Sequence, residues 1–87
     1  MEGNVFVQSK NGYYLPVCDD SWDNLDAHVV CRELGYPSGR ATTNSRFGRV
    51  PNNFAMDNVI CAGTEKNLRH CPHITNENCG GTEGAGV

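Results

Sequence analysis

The five cysteines of this chain limit its fold more than any other feature. They lie at positions 18, 31, 61, 71 and 79 of an 87-residue sequence. A chain of this length buries only about 60–65% of its unfolded surface, so an apolar core alone leaves it marginally stable. Disulfide bonds supplement the core in small domains of oxidising compartments. We therefore expect residues 1–87 to form one small, loop-rich, disulfide-stapled domain that is extracellular.

Charge and hydropathy exclude several other classes of protein. The net charge of −3 gives no electrostatic support for binding nucleic acid. No run of residues approaches the ~20 apolar positions that a membrane span requires. The first residues carry no apolar segment of the kind found in a signal peptide. We expect the chain to be a domain excised from a larger extracellular protein.

One helix is predicted in the first half of the chain. An apolar residue recurs at the i, i+3, i+4 and i+7 positions of one helical face, namely Ala27, Val30, Cys31 and Leu34. Asp23 or Asn24 can cap its start, and Asp26 lies in the first turn, where the helix dipole favours an anion. Gly35 supplies the stop at its C-terminal end.

A β-hairpin is predicted before this helix. Residues 5–8 and 13–17 are rich in β-branched and aromatic side chains. Between them lies the pair Asn11 and Gly12, a strong hairpin signal because both residues tolerate a positive φ. Pro16 cannot donate a ladder hydrogen bond, which predicts that its side of the strand is an edge or a bulge.

The second half of the chain is predicted to be mostly irregular. Residues 36–53 show no sustained period and read as a loop, with a short strand at residues 41–43. Residues 54–61 read as a buried strand. A two-turn helix capped by Thr64 is predicted to run to His70 and to pack Leu68 inward.

Four co-linear motifs resemble those of scavenger receptor cysteine-rich (SRCR) domains. Residues 17–22 (V-C-D-D-S-W) and 26–36 (D-A-H-V-V-C-R-E-L-G-Y) resemble the C-D-D-x-W…A-x-V-V-C-R-x-L-G-Y core of that family. Three further pieces follow in the family's order, at residues 56–65, at residues 68–71, and at Cys79 with residues 85–87. The resemblance implies an α+β fold, with a curved antiparallel sheet cradling one α-helix, plus a short second helix.

Two segments depart from the family pattern. The strand that usually reads W-G-T-x-C is Y-L-P-V-C here, at residues 14–18. The glycine-rich run F-G-x-G-x-G-x-I-W-L-D is replaced by F-G-R-V-P-N-N-F-A-M-D at residues 47–57. We therefore expect this loop to be rebuilt.

The cysteine positions match the six-cysteine SRCR class, lacking the last cysteine. The resemblance implies disulfides Cys18–Cys79 and Cys61–Cys71. It pairs Cys31 with a sixth cysteine expected just past Val87, so Cys31 is predicted to be an unpaired thiol within this chain.

A zinc module is a remote alternative. Soft ligands lie close together in the second half of the chain, namely Cys61, His70, Cys71, His73 and Cys79. Structural zinc sites usually combine C-x₂₋₄-C with H-x₃₋₅-H, and neither spacing occurs here.

Three carboxylates are predicted to form a cation site. Asp19 and Asp20 follow Cys18, and Glu83 lies four residues after Cys79. If these cysteines are bonded, their Cα atoms lie ~5.5–6 Å apart, which brings Glu83 within reach of the two aspartates. Clustered oxygen ligands suit Ca²⁺ or Mg²⁺. Alternatively, the aspartates cap turns and Glu83 is a solvated residue.

The resemblance also implies this cation site. SRCR domains commonly use the aspartates of C-D-D and the glutamate of a terminal E-D-A-G-V motif. Here the motif reads E-G-A-G-V, so Glu83 matches and Gly84 replaces a candidate ligand. A second site of the family type would use Asp57 and Asn78.

Three arginines form the candidate ligand-binding set. Arg40, Arg46 and Arg49 fall within ten residues of the loop, and guanidinium groups bind sulfates, phosphates and carboxylates through paired hydrogen bonds. Scattered solubilising charge is the alternative interpretation. No catalytic site is predicted, because His28 lacks an orienting partner and Cys31 faces the core.

These observations favour an extracellular module that binds polyanionic microbial or modified host ligands with the help of a divalent cation, as the resemblance implies for scavenger receptors and innate immunity. The alternative is a docking module of a secreted multidomain enzyme, such as a lysyl-oxidase-like protein or a mosaic protease. We expect no nucleic-acid partner.

Overall fold

The computed structural model describes residues 2–75 and 78–87 as an α+β domain with little regular secondary structure. Strand β1 (Phe6–Gln8) pairs antiparallel with strand β2 (Tyr14–Pro16). Helix α1 (Asn24–Glu33) follows, and one 3₁₀ turn (Leu68–His70) comes later in the chain. The predicted fold class is confirmed.

Helix α1 begins as the sequence predicts and ends at Glu33, one residue early, with Gly35 following the C-cap at a φ of 92° as the predicted stop. Asp23 is the N-cap and accepts hydrogen bonds from the N–H groups of Leu25 and Asp26, while the Asp26 side chain accepts from Asp23 N–H. This reciprocal pair is a capping box. Leu34 was expected on the buried face, but it lies at the C-cap and is 60% exposed, so that part of the prediction is wrong.

The hairpin turn differs in detail from the prediction. Ser9 N–H donates to the Tyr13 carbonyl and Gly12 N–H donates to the Ser9 carbonyl. Gly12 has a φ of 86°, whereas Asn11 is not among the residues with positive φ. The longer connection needs only one left-handed residue, so the predicted hairpin forms with Gly12, and not Asn11, in that conformation.

Two other predicted elements are shorter than expected. Residues 54–61 form only single bridges, in which Met56 pairs with Val17 and Asp57 pairs with Ile74. Residues 41–43 contribute one bridge, from Thr42 to Gly86. Residues 54–61 are held mainly by burial of side chains such as Phe54, Met56 and Val59, because neighbouring chain segments approach at single points.

The predicted two-turn helix is also wrong. Glu65 accepts hydrogen bonds from Ala62 N–H and Gly63 N–H with its carboxylate, which turns the chain before a helix can start. Only the 3₁₀ turn remains, and Leu68 within it is 2% exposed, as the sequence predicts.

Residues 84–87 run through the middle of the domain. Gly3 and Val87 exchange two backbone hydrogen bonds, and Gly86 and Thr42 do the same on the other side. The indole N–H of Trp22 donates to the Gly86 carbonyl at 2.9 Å. This segment therefore joins residues 3–5, the loop and the core into one unit.

Candidate cation and ligand site

One long-range and one short-range disulfide staple the chain. Cys18 is bonded to Cys79, with a Cα–Cα distance of 6.2 Å, and Cys61 is bonded to Cys71. These are the two pairs that the resemblance implies. Cys31 is the free cysteine, and it is buried. Sulfur atoms engaged in disulfides are not thiolates, so the predicted zinc set loses its sulfur ligands and that alternative is wrong.

The Cys18–Cys79 bridge gathers oxygen ligands from both ends of the chain. Asp19 N–H donates to the Glu83 carbonyl at 2.8 Å, so the two residues lie side by side. A carboxylate oxygen of Asp20 lies within 4.8 Å of one of Glu83. The Asn78 side-chain oxygen and Asp20 Oδ2 each lie 3.9 Å from Cys79 Sγ. The side-chain oxygen atoms of Asp20, Asn78 and Glu83 thus lie close to the Cys18–Cys79 disulfide.

Asp57 joins this acidic cluster, which we define as Asp19, Asp20, Asp57 and Glu83. Asp57 is only 2% exposed, and one of its oxygens accepts a hydrogen bond from Asn58 N–H at 2.7 Å. Its negative charge raises the pKa of Asp20. The sequence places Asp57 with Asn78 in a second site, whereas the structure brings both predicted sets together around Asp20.

The negative charges of the acidic cluster repel one another. Burial raises the pKa of Asp19 above its ordinary value, the charges of Asp20 and Glu83 raise it further, and a hydrogen bond from Asn44 partly opposes both. Burial also raises the pKa of Asp20, followed by the charges of Asp57 and Glu83. Hard oxygen donors that repel one another fit a divalent cation such as Ca²⁺ or Mg²⁺.

Gly84 is closely packed at the position where the resemblance implies an aspartate. A Cβ atom at Gly84 would lie 2.8 Å from Ser45 Oγ and 3.2 Å from Val50 Cγ1. The rebuilt loop therefore occupies the space that a side chain at this position would need.

The loop that carries the arginines is tied to the acidic cluster by hydrogen bonds. Asn44 N–H donates to Asp19 Oδ2 at 2.7 Å. Ser45 Oγ donates to the Gly81 carbonyl at 2.7 Å and accepts from Gly84 N–H at 2.8 Å. Asn44 and Ser45 both have positive φ, at 59° and 50°. The loop backbone is thus shaped by contacts with the segment that bears Glu83.

The three predicted arginines are exposed and do not form one patch. Arg40 and Arg46 line the same open groove of about 590 Å³. The guanidinium carbon of Arg46 lies 5.9 Å from the Phe47 ring centroid, within range of a cation–π interaction. Arg49 instead lies beside Gly81, near the acidic cluster.

These features define a small disulfide-stapled binding module. The family model of the scavenger receptor cysteine-rich domain matches residues 1–87. The chain therefore belongs to the SRCR family, as the resemblance predicts. SRCR domains are non-catalytic ligand-binding and docking modules.

Similar proteins are known from several animals. A scavenger receptor cysteine-rich domain superfamily protein of Patiria pectinifera is 47% identical over 90 residues, covering 100% of this chain and 8% of that protein. Lysyl oxidase homolog 2 of Rattus norvegicus is 44% identical, covering 99% and 11%. The crystal structure of the dimeric form of the SRCR domain of mouse MARCO superposes with a TM-score of 0.90 at 42% identity, covering 99% of this chain and 83% of that one.

The chain spans about a tenth of the length of the curated relatives it matches. Among the described residues, no helix has the length and apolar character needed to cross a membrane.

Proposed function

We propose that this domain is an extracellular module that binds polyanionic ligands, with a divalent cation at the acidic cluster and the loop arginines as the anion-binding groups. Two disulfides support an oxidising, extracellular location. The observation that carries the proposal is the 2.7 Å hydrogen bond from Asn44 N–H to Asp19 Oδ2, because it links loop and cluster directly.

The cation and the ligand are expected to support each other. A bound Ca²⁺ supplies positive charge that offsets the repulsion among Asp19, Asp20 and Glu83. With this repulsion reduced, the Asp19 carboxylate stays in the position from which it accepts the hydrogen bond from Asn44 N–H. The loop backbone then holds Arg46 in one position, which lowers the entropic cost of binding an anionic polymer.

We expect saturating Ca²⁺ to raise the melting temperature of the domain. Open extracellular sites bind Ca²⁺ with dissociation constants of ~10⁻⁴–10⁻³ M, so about 10 mM Ca²⁺ stabilises the folded state by about 1.5–3 kcal/mol. Asp20→Ala should abolish this gain and stabilise the cation-free domain, because it relieves repulsion with Asp57 and Glu83. Calorimetry with and without Ca²⁺ measures both effects.

Glu2→Ala is the matched control for this experiment, since it removes one exposed carboxylate that does not belong to the acidic cluster. The control should respond to Ca²⁺ like the wild type. Equal stabilisation of wild type and Asp20→Ala would show that these carboxylates cap turns and bind no cation.

Replacing Arg40, Arg46 and Arg49 together by serine should weaken binding to a sulfated polymer and flatten its salt dependence. Each anionic group that a cation neutralises releases counterions, so losing three contacts lowers the slope of log K against log salt. Surface plasmon resonance over a salt series measures this slope. Replacing Arg32 and Lys66 by serine removes positive charge from exposed residues outside the groove at Arg40 and Arg46. An equal loss of affinity per charge removed in both variants would show that the loop arginines only add solubility.

The second candidate function is docking within a multidomain extracellular enzyme. The similarity to lysyl oxidase homolog 2 over 99% of the chain favours this candidate. A Ca²⁺-dependent binding screen separates the two functions. Binding to bacterial polyanions supports the first proposal, whereas binding to matrix proteins alone supports docking.

A further inference from the structure

An apolar groove lies on the hairpin, apart from the arginine loop. It has a volume of about 390 Å³. Its floor is formed by side chains of the hairpin and of residues 54–56, namely Val7, Leu15, Phe54, Ala55 and Met56. A groove of this size and lining accommodates one or two apolar side chains of a ligand. A methionine in the floor adapts to differently shaped side chains.

The rim of this groove is basic, although the chain as a whole has a net charge of −3. Lys10, Arg69 and His73 line the rim, and all three are exposed. Among residues 2–75 and 78–87 no carboxylate lines the groove. The His73 ring is held by a 2.8 Å contact between its Nδ1 and the Cys71 carbonyl. The rim cations are thus available to an anionic partner.

We propose that this basic-rimmed groove docks an acidic segment of a partner protein, with an apolar side chain on the floor and flanking carboxylates against Lys10 and Arg69. Charge complementarity selects an acidic segment, and the apolar floor selects a peptide over a sulfated sugar chain, which presents few apolar groups. The groove shares no lining residue with the acidic cluster or with the groove at Arg40 and Arg46. Docking is therefore independent of the cation.

Fluorescence anisotropy with a short synthetic peptide tests this proposal. The probe carries a leucine–phenylalanine pair between runs of glutamate, and binding is measured in EDTA so that the acidic cluster plays no part. Lys10→Glu with Arg69→Glu should weaken binding by about tenfold or more, since two attractive contacts become repulsive. Arg32→Glu with Lys66→Glu makes the same change in net charge at exposed residues that line neither groove, and should leave the affinity within about twofold.

Three results would overturn the proposal. Equal losses of affinity in both double variants would show that net charge alone, and not the groove, determines binding. A second peptide, with the leucine–phenylalanine pair replaced by serines, should bind at least about fivefold more weakly, and equal binding would show that the floor is not used. Binding of phosphatidylserine vesicles without binding of the peptide would assign the surface to a membrane instead. Methyl NMR shifts at Val7, Leu15 and Ala55 on adding peptide are the expected direct evidence.

Discussion

Replacing Cys18 and Cys79 together by alanine is expected to lower the free energy of unfolding by about 4 kcal/mol. The bond closes a sequence separation of 61 residues, and a loop of that length is worth about 4 kcal/mol in the chain-entropy model. Small domains have only about 5–15 kcal/mol in total, so most of the stability would be lost. Urea denaturation of both proteins at neutral pH measures the difference.

Two controls make this result specific. The Cys61–Cys71 bond closes a separation of only 10 residues, so its removal should cost about 3 kcal/mol. Cys31→Ala removes a buried sulfur without opening a bridge and should cost about 1 kcal/mol. The Cys18–Cys79 variant should also lose its response to Ca²⁺, because that bridge brings Asp20 to Glu83. A loss no larger than that of Cys31→Ala would contradict the prediction.

Lowering the pH from 7 to 4 is expected to stabilise the wild type relative to Asp26→Asn by about 2 kcal/mol. Asp26 is fully buried, and its two oxygens accept hydrogen bonds from Cys61 N–H and Asp23 N–H. Burial is the main cause that raises its pKa from 3.8 to about 6, with the charge of Asp23 adding to it.

The sign of this effect follows from proton binding. Between pH 3.8 and about 6 the folded state keeps the Asp26 proton while the unfolded state releases it, so stability falls as the pH rises through this window. Above this pH window the buried, charged carboxylate of Asp26 destabilises the fold by its full amount. Below the window the carboxyl group is protonated in both states, and this destabilisation disappears. Asparagine cannot titrate, and groups that do not interact with Asp26 change equally in the two proteins, so their contributions cancel. A difference in unfolding free energy that stays constant from pH 4 to pH 7 would exclude a buried, titrating Asp26.

Local signals in the sequence predicted the helix and the hairpin well. The start of α1 depends on Asp23 and Asp26, which lie three residues apart and bond to each other, so the pattern contains the interaction. The exposure of Leu34 could not be read in this way, because helical periodicity does not show where the core ends. Residues 54–61 were mistaken for a strand because buried irregular chain and a buried strand have the same apolar composition.

The site was only partly predictable for a similar reason. Asp19, Asp20 and Glu83 follow from the Cys18–Cys79 pairing, since a disulfide fixes which segments meet. The approach of Asp57 to Asp20 depends on how residues 54–61 cross the domain, and no local pattern encodes that path. The basic-rimmed groove is built from the hairpin, residues 54–56 and residues 69–75, and nothing in the separate segments indicates that they meet.

The pairing of Gly3 with Val87 determines how the domain would respond to mechanical force. These residues lie opposite each other at one end of an antiparallel pair, so a pull through residues 3 and 87 breaks hydrogen bonds one after another rather than together. Peeling would stop at the Cys18–Cys79 bond, after releasing residues 3–18 and 79–87, about 80 Å of extended chain. Within a tethered extracellular protein, this domain would lengthen by that amount under force, and the Cys18–Cys79 bond would prevent further extension.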